Sequence, residues 1–182
     1  MRLDLYNAKS FERGRPRWLE AMWLLAQSIF LASPLWGTHL RVAVLQLFGA
    51  RIGRGVTIKP GVRVKFPWRL QIGDHCWIGE DVWLDNLAEI HIGDHCCLSQ
   101  GAYLCTGSHD WSRVSFDLMV KPIVLENEVW LAARSIIGPG VTAGRGAVLA
   151  LGSVATRDLL PWHVHQGVPA VPVKPREIRN SD

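Results

Sequence analysis

The sequence has little cysteine and very little tyrosine: four Cys and two Tyr among 182 residues. Cys76, Cys96, Cys97 and Cys105 make no CxxC pair and show no Cys/His zinc spacing, so no metal is expected. They do not read as the disulfide framework of a small secreted scaffold, and they point to a reducing, cytoplasmic setting. The basic residues form no long block, and a net charge of +4 is too mild to argue for nucleic acid. That charge suits anionic small molecules or a lipid surface. Disorder is excluded, because 48% of the residues are hydrophobic, ample for the core of one domain. One long stretch lacks charge altogether. Residues 21–40, AMWLLAQSIFLASPLWGTHL, contain no Asp, Glu, Lys or Arg. That length could span a bilayer. Gln27, Ser28, Ser33, Pro34, Gly37, Thr38 and His39 interrupt it, however, and Pro34 should break a helix near its middle. The basic lead-in is long for a secretory signal, so cleavage is not expected.

Tryptophan, by contrast, is abundant, with nine residues. Residues 1–17 are polar and basic (Arg2, Lys9, Arg13, Arg15, Arg17), and residues 18–48 read as helical. Trp18, Met22, Leu25 and Ile29 fall on one stripe at helical spacing, and Trp23, Ala26 and Phe30 make a second stripe beside it. A second helix is expected from about Thr38 to Phe48, ending at Gly49. These helices read as a cap on one end of a larger core. The same composition fits an interfacial anchor, with apolar and aromatic residues among lipid headgroups and the arginines on anionic lipid. The two readings are compatible.

From Ile52 the pattern changes to sixes. Ile52–Thr57 and Ile58–Arg63 are followed by Ile72–Trp77 and Ile78–Trp83, then by Ile92–Cys97 and Leu98–Tyr103. After an interruption the sixes resume at Leu125 and run to Val154, giving at least eleven hexads. Position one is aliphatic, position five is small or β-branched, and Gly is frequent at positions two and four. Short strands joined by tight turns would do this, since such turns need Gly, Asp or Asn. The position-one side chains then stack inside a solenoid. A helix would repeat at 3.6 and a lone amphipathic strand at two, so a strict six fits neither. Cys76 and Cys96 occupy fifth positions and read as core. His75 and His95 fall in turns and read as solvated.

This pattern resembles the hexapeptide-repeat acyltransferase superfamily over residues 52–173. The specific matches are Val129-Trp130-Leu131 with Ile137-Gly138-Pro139-Gly140-Val141-Thr142, then Gly152–Asp158 and Gly167-Val168-Pro169-Ala170. Leu47-Phe48-Gly49-Ala50 and Thr106-Gly107-Ser108-His109-Asp110 bring the chain nearest to the colanic-acid and exopolysaccharide biosynthesis acetyltransferases. The resemblance implies an all-β, left-handed parallel β-helix, usually trimeric, with active sites between neighbouring subunits. The chain divides accordingly into a basic, Trp-rich helical segment (1–50), a β-helix acyltransferase domain (51–160) with an active-site loop at about 109–121, and a C-terminal tail (161–182).

The implied activity is O-acetylation of a sugar or exopolysaccharide precursor by acetyl-CoA, at the cytoplasmic side, with a lipid-linked glycan as one form of the acceptor. His109 lies where the coil gives way to the loop. Acyl transfer from a thioester to a hydroxyl needs a base near neutral pH, and histidine supplies one. The developing oxyanion would need donors, for which backbone N–H groups serve. Asp110, grouped by resemblance with the acceptor-binding residues, would orient the ring or cap a turn. Leu84-Asp85-Asn86 breaks the six-residue rule and resembles the family's acceptor-binding segment, although Asp and Asn also simply make turns. By resemblance, acetyl-CoA meets Trp130 at its acyl end and the backbones of Ala133 and Leu151 along the pantetheine. Thr156 and Arg157 lie near its adenine, and Lys174, helped by Arg176, meets the 3′-phosphate. A solvated tail charge is the plain alternative for Lys174. Other readings remain open: N-acetylation of an amino sugar, a non-catalytic trimeric scaffold, or a γ-type carbonic anhydrase with zinc on His75, His91 and His95. Serine acetyltransferases carry a large helical domain for which about fifty residues are too few.

Overall fold

The computed structural model describes residues 2–7 and 11–179. Lys9 lies outside the described residues. After a 3-10 turn at Leu3–Leu5, helix α1 (Arg17–Ala26) starts behind Pro16 and passes into a π-helical turn at Gln27–Leu31. Helix α2 (Thr38–Leu47) follows the break that holds Pro34 and Gly37, and stops before Gly49, whose φ is +98°. Beyond Arg51 the chain winds as a left-handed parallel β-helix of about six turns.

Each of the first five coils contributes one strand to each of three parallel faces. The registers stack position one on position one. Ile52, Ile72, Ile92, Leu125 and Ala143 align on the first face. Ile58, Ile78, Leu98, Leu131 and Leu149 align on the second. Val64, Leu84, Leu104, Ile137 and Ala155 align on the third. Ile52 is the only one of these that is not fully buried. Burying each Ile, Leu or Val of these columns stabilises by roughly 1.5–3 kcal/mol, and the two alanines contribute less. Cys76 and Cys96 are buried at fifth positions, each thiol turned to a backbone carbonyl of the next coil.

The two glycine positions of the hexad have different causes. All eleven fourth positions have positive φ, whether they hold Gly, the exposed His75 and His95, or Asp81, Glu128 and Arg134. Position two is a matter of space. A Cβ on Gly73 would sit 2.2 Å from Asp94 Oδ1 and 2.8 Å from the Gly93 carbonyl carbon. That carboxylate is needed where it is: it accepts from the Asp74 N–H at 2.7 Å, as Asp74 accepts from Arg54 N–H and Asn127 from Asp94 N–H. The ladder pins the coils at one corner.

A solenoid leaves a raw edge at each end, with unpaired backbone groups. Here the helices close the first edge with side chains. Trp23 Nε1–H donates to the Val64 carbonyl at 2.8 Å, and Gln27 Oε1 accepts from the Val64 N–H. Thr38 and Arg41 donate to the Ile58 carbonyl, and Gln46 to that of Ile52. Thus the position-one residue of each face in the first coil is capped. At the other end, His163–Gly167 adds a strand to the second face and turns back through Ala170–Pro175. Residues of the expected tail therefore form a hairpin on the sheet. Of the two N-terminal stripes, Trp23, Ala26 and Phe30 turn to the core, Trp23 fully buried and the other two half-buried against it, whereas Trp18, Met22, Leu25 and Ile29 face outward. No described helix is long and apolar enough to cross a membrane.

Candidate active site

The interruption between the third and fourth coils is a β-hairpin, where the sequence reading expects a loop. Gly107–His109 pairs antiparallel with Leu118–Val120. His109 is therefore the last residue of an arm strand, outside the coil whose hexad it would have completed. The arm starts from a fully buried Thr106, whose hydroxyl donates to the Asp85 carbonyl and accepts from the Ala88 N–H. A Cβ on Gly107 would press on the flexible Leu87 side chain, with Cδ1 at 2.7 Å.

The His109 ring is half-buried and lies flat on Phe116, with centroids 4.3 Å apart and 2° between planes. Its Nδ1 is 2.8 Å from the Phe116 carbonyl oxygen. A carbonyl only accepts, so Nδ1 carries the proton and Nε2 keeps the lone pair in the neutral ring. Phe116 holds this carbonyl in place from a left-handed backbone, φ +52°, which costs an aromatic residue about 1–2 kcal/mol. Tyr6 packs edge-on against the same ring at 5.5 Å, and the Arg2 N–H donates to the Val114 carbonyl, so the N-terminal strap rests on the arm. Phe116 and Tyr6 were missed from sequence. One acts through a main-chain carbonyl and the other from a distant segment, and neither leaves a residue-type signal.

Asp110 does not touch the imidazole. Its carboxylate accepts from Ser112 and pairs with Arg113 at 3.2 Å, and these bonds, Ser112 first, lower its pKa. Of its two expected roles it performs turn-capping. Asp85 is brought beside the root of the arm, in register with Cys105. Its Oδ2 accepts from the Tyr103 hydroxyl at 3.3 Å, while its buried Oδ1 has no partner among the described residues. Burial first, then a bond to Cys105, pushes the Tyr103 phenol pKa well up, so the phenol stays a donor. The expectation for Asn86 is corrected. It is fully buried, with Oδ1 accepting from the Phe66 N–H at 2.9 Å and Nδ2 donating to the Phe66 carbonyl at 2.7 Å. Both ends are bonded to the backbone of the preceding coil, and the side chain presents no exposed atom to a ligand.

A groove of 1090 Å³ runs along the second face between the last coils and the C-terminal strand. Its walls include Ser99, Trp130, Ala133, Leu151, Val164 and Lys174. The half-exposed Trp130 is fixed by its Nε1–H to Ser99 Oγ at 3.0 Å. Four of the six residues expected to hold acetyl-CoA thus share one largely apolar trough, which Arg179 also lines. Thr156 and Arg157 do not join them within one chain; they are exposed after the third-face strand Val154–Ala155. Arg176 lines the groove, but its Nη1 donates to the carbonyls of Glu128 and Gly146, so it anchors the tail as well. The lining, largely apolar and including the cations Lys174 and Arg179, fits a thioester carrier that also bears phosphate. His75 and His95 stack at 5.3 Å, and among the described residues no group of three His, Cys, Asp or Glu could hold a metal ion.

Comparison with known proteins decides the family. The chain is 40% identical over 168 residues to WcaF of Escherichia coli (strain K12), named as an acetyltransferase of colanic acid biosynthesis, with 92% of each chain covered. The chain belongs to the hexapeptide-repeat acetyltransferase family. A galactoside O-acetyltransferase of the same organism is 26% identical over 145 residues, covering 78% of this chain and 70% of that protein. Among solved structures, a hexapeptide-repeat acetyltransferase of Vibrio cholerae O1 biovar eltor, complexed with acetyl coenzyme A, superposes with a TM-score of 0.81. It is 26% identical, and the match covers 89% of each chain. No protein-family model matches the chain. As a hexapeptide-repeat acetyltransferase, the protein places its histidine arm and its groove where the fold interrupts and ends its repeat.

Proposed function

We propose that the protein transfers the acetyl group of acetyl-CoA to a hydroxyl of a sugar or exopolysaccharide precursor, with His109 as general base. The observation that carries this reading is the Nδ1–H bond from His109 to the Phe116 carbonyl. It fixes the tautomer and leaves Nε2 as the free base on a projecting arm. Nε2 takes the acceptor's hydroxyl proton as that oxygen attacks the thioester carbonyl, and the imidazolium returns the proton to the leaving thiolate. The Phe116 carbonyl, facing Nδ1–H throughout, stabilises the imidazolium in between. Backbone N–H groups supply the oxyanion donors. Asp85, with one carboxylate oxygen unpaired, is the acceptor-binding carboxylate.

Acetyl-CoA supplies an activated acetyl thioester. Trp130 lines its acyl end, the Ala133 and Leu151 backbones hold the pantetheine, and Lys174 meets the 3′-phosphate. Thr156 and Arg157, remote from the groove in one chain, belong to this site if it forms between neighbouring subunits. We therefore propose a homotrimer, whose clefts are completed by a second chain. The same reading has the enzyme work at the cytoplasmic face of a membrane, where a lipid-linked glycan presents the hydroxyl.

The test is acetyl-CoA consumption, followed as free thiol, across a panel of nucleotide sugars and oligosaccharides, with NMR of the product. A base-labile ester on a sugar oxygen is the expected outcome. An amide product would overturn the O-acetyl assignment. No turnover with any acceptor, together with no CoA binding, would overturn the enzymatic reading.

A further inference from the structure

The two capping helices have an outer side that nothing among the described residues covers. Their inner sides are spent on the first coil, through Trp23, Leu31, Val44 and Leu45. On the outer side, α1 and the π-helical turn present Trp18, Met22, Leu25 and Ile29, and α2 presents Leu40 and Leu47. Leu25 is 65% exposed and Leu47 81%. Leu35 and Trp36, in the turn between the helices, are exposed as well. Exposed large apolar residues are ordinary when scattered. A stripe on each of two adjacent helices, with two more residues in the turn that joins them, is a surface.

Charge identifies what the surface fits. Between residues 13 and 69 the sequence holds ten Lys and Arg and one acidic residue, Glu20. The whole chain holds 20 and 16, so the rest of the protein is net acidic. The cap end is therefore strongly basic although the molecule is nearly balanced. Among the described residues, Arg15, Arg17, Arg51 and Lys65 are exposed and take part in no salt bridge within the chain. Arg15 and Arg17 stand at the start of α1, and Arg51 follows the end of α2. A second copy docked face to face would bring these cations against themselves, which disfavours self-association through this side.

We infer that the outer side of α1, the π-helical turn and α2 is a membrane-binding surface for anionic phospholipid. The helices lie in the interface plane, with their apolar stripes among the upper acyl chains and Trp18 and Trp36 at headgroup depth. Arg15, Arg17, Arg51 and Lys65 meet the lipid phosphates. The edge-capping bonds that hold the helices to the first coil fix the depth of the whole enzyme. This rests on the proposed lipid-linked acceptor only for its purpose, since binding to vesicles is read without turnover.

The experiment uses the full-length protein with vesicles of phosphatidylcholine alone or with 30 mol% phosphatidylglycerol (a fraction on the order of natural anionic content). Sedimentation and tryptophan fluorescence report binding, and size exclusion reports assembly. Partition into the anionic vesicles should exceed that into neutral ones by roughly tenfold or more, and should fall with added salt. Leu25→Asp with Leu47→Asp should lower it by about tenfold or more, with elution volume and thiol release towards a soluble acceptor unchanged. Arg15→Gln with Arg17→Gln should remove most of the preference for anionic lipid. Absence of wild-type binding, or equal binding by the Asp variant, would overturn the inference. So would a change of oligomeric state in that variant, which would make the side a protein–protein contact. None of these results would touch the acetyl-transfer chemistry.

Discussion

Replacing Trp23 by Phe tests whether the helices are integral to the solenoid. The Trp23 side chain is fully buried and donates its only N–H to the Val64 carbonyl at 2.8 Å. Phe keeps an aromatic ring but deletes the donor. The carbonyl sits at the raw edge of the first coil, with no preceding strand to take it. Leaving it unpaired costs about 1–3 kcal/mol. The smaller ring leaves a void that adds about 1 kcal/mol, a low figure for a buried large-to-small change. The total is ~2–4 kcal/mol, which for a domain of this size lowers the melting temperature by roughly 4–16 °C. Trp18, on the outer stripe, is the control. Trp18→Phe should move stability by less than about 0.5 kcal/mol, or under about 2 °C. Melts followed by circular dichroism would read both. Equal shifts in the two variants, or a shift below about 2 °C for Trp23→Phe, would refute the edge-cap argument.

Three further outcomes follow from the same geometry. Asn86→Ala should destabilise by about 2–4 kcal/mol, because it orphans both the N–H and the carbonyl of Phe66, while leaving the acceptor KM of the folded fraction unchanged; a selective rise in that KM would contradict the structural role. His165 is buried at a position-one site, its Nε2 accepts from the Leu160 N–H, and burial lowers its pKa. The unfolded chain therefore binds a proton first as pH falls, so His165 costs no stability above about pH 6.5, and stability drops below it; melts from pH 7.5 to 5 should show a smaller acid loss in His165→Gln than in wild type. Lys174→Ala should raise the KM for acetyl-CoA by roughly tenfold but barely change that for its 3′-dephospho form; an equal effect on both would place Lys174 away from that phosphate.

The repeat was legible because its cause is local. Each hexad carries its own strand, turn and inward side chain, so Ile72 or Leu131 can be assigned from six residues. That the repeat is interrupted was equally plain, although the sequence places the break after His109 and the structure begins it after Thr106. The hairpin was not, since pairing of Gly107 with Val120 is a contact across a gap that no six-residue rule describes. The helical stripes were visible as two, but periodicity alone cannot say which faces inward. That choice is made by the bond from Trp23 to Val64, forty-one residues away. Asn86 misled because a side chain that braces a turn and one that binds a sugar look the same in sequence. Phe116 gave no sign, because it meets His109 Nδ1 through its main-chain carbonyl and every residue has one.

The most direct test of the account is the turnover number for acetyl transfer, measured as thiol release from acetyl-CoA at saturating acceptor, for wild type and His109→Ala side by side. The account predicts a fall of ~10²-fold or more with little change in the melting temperature or in acetyl-CoA binding. Turnover that survives the substitution would contradict it, and would move the base to another residue of the same family fold.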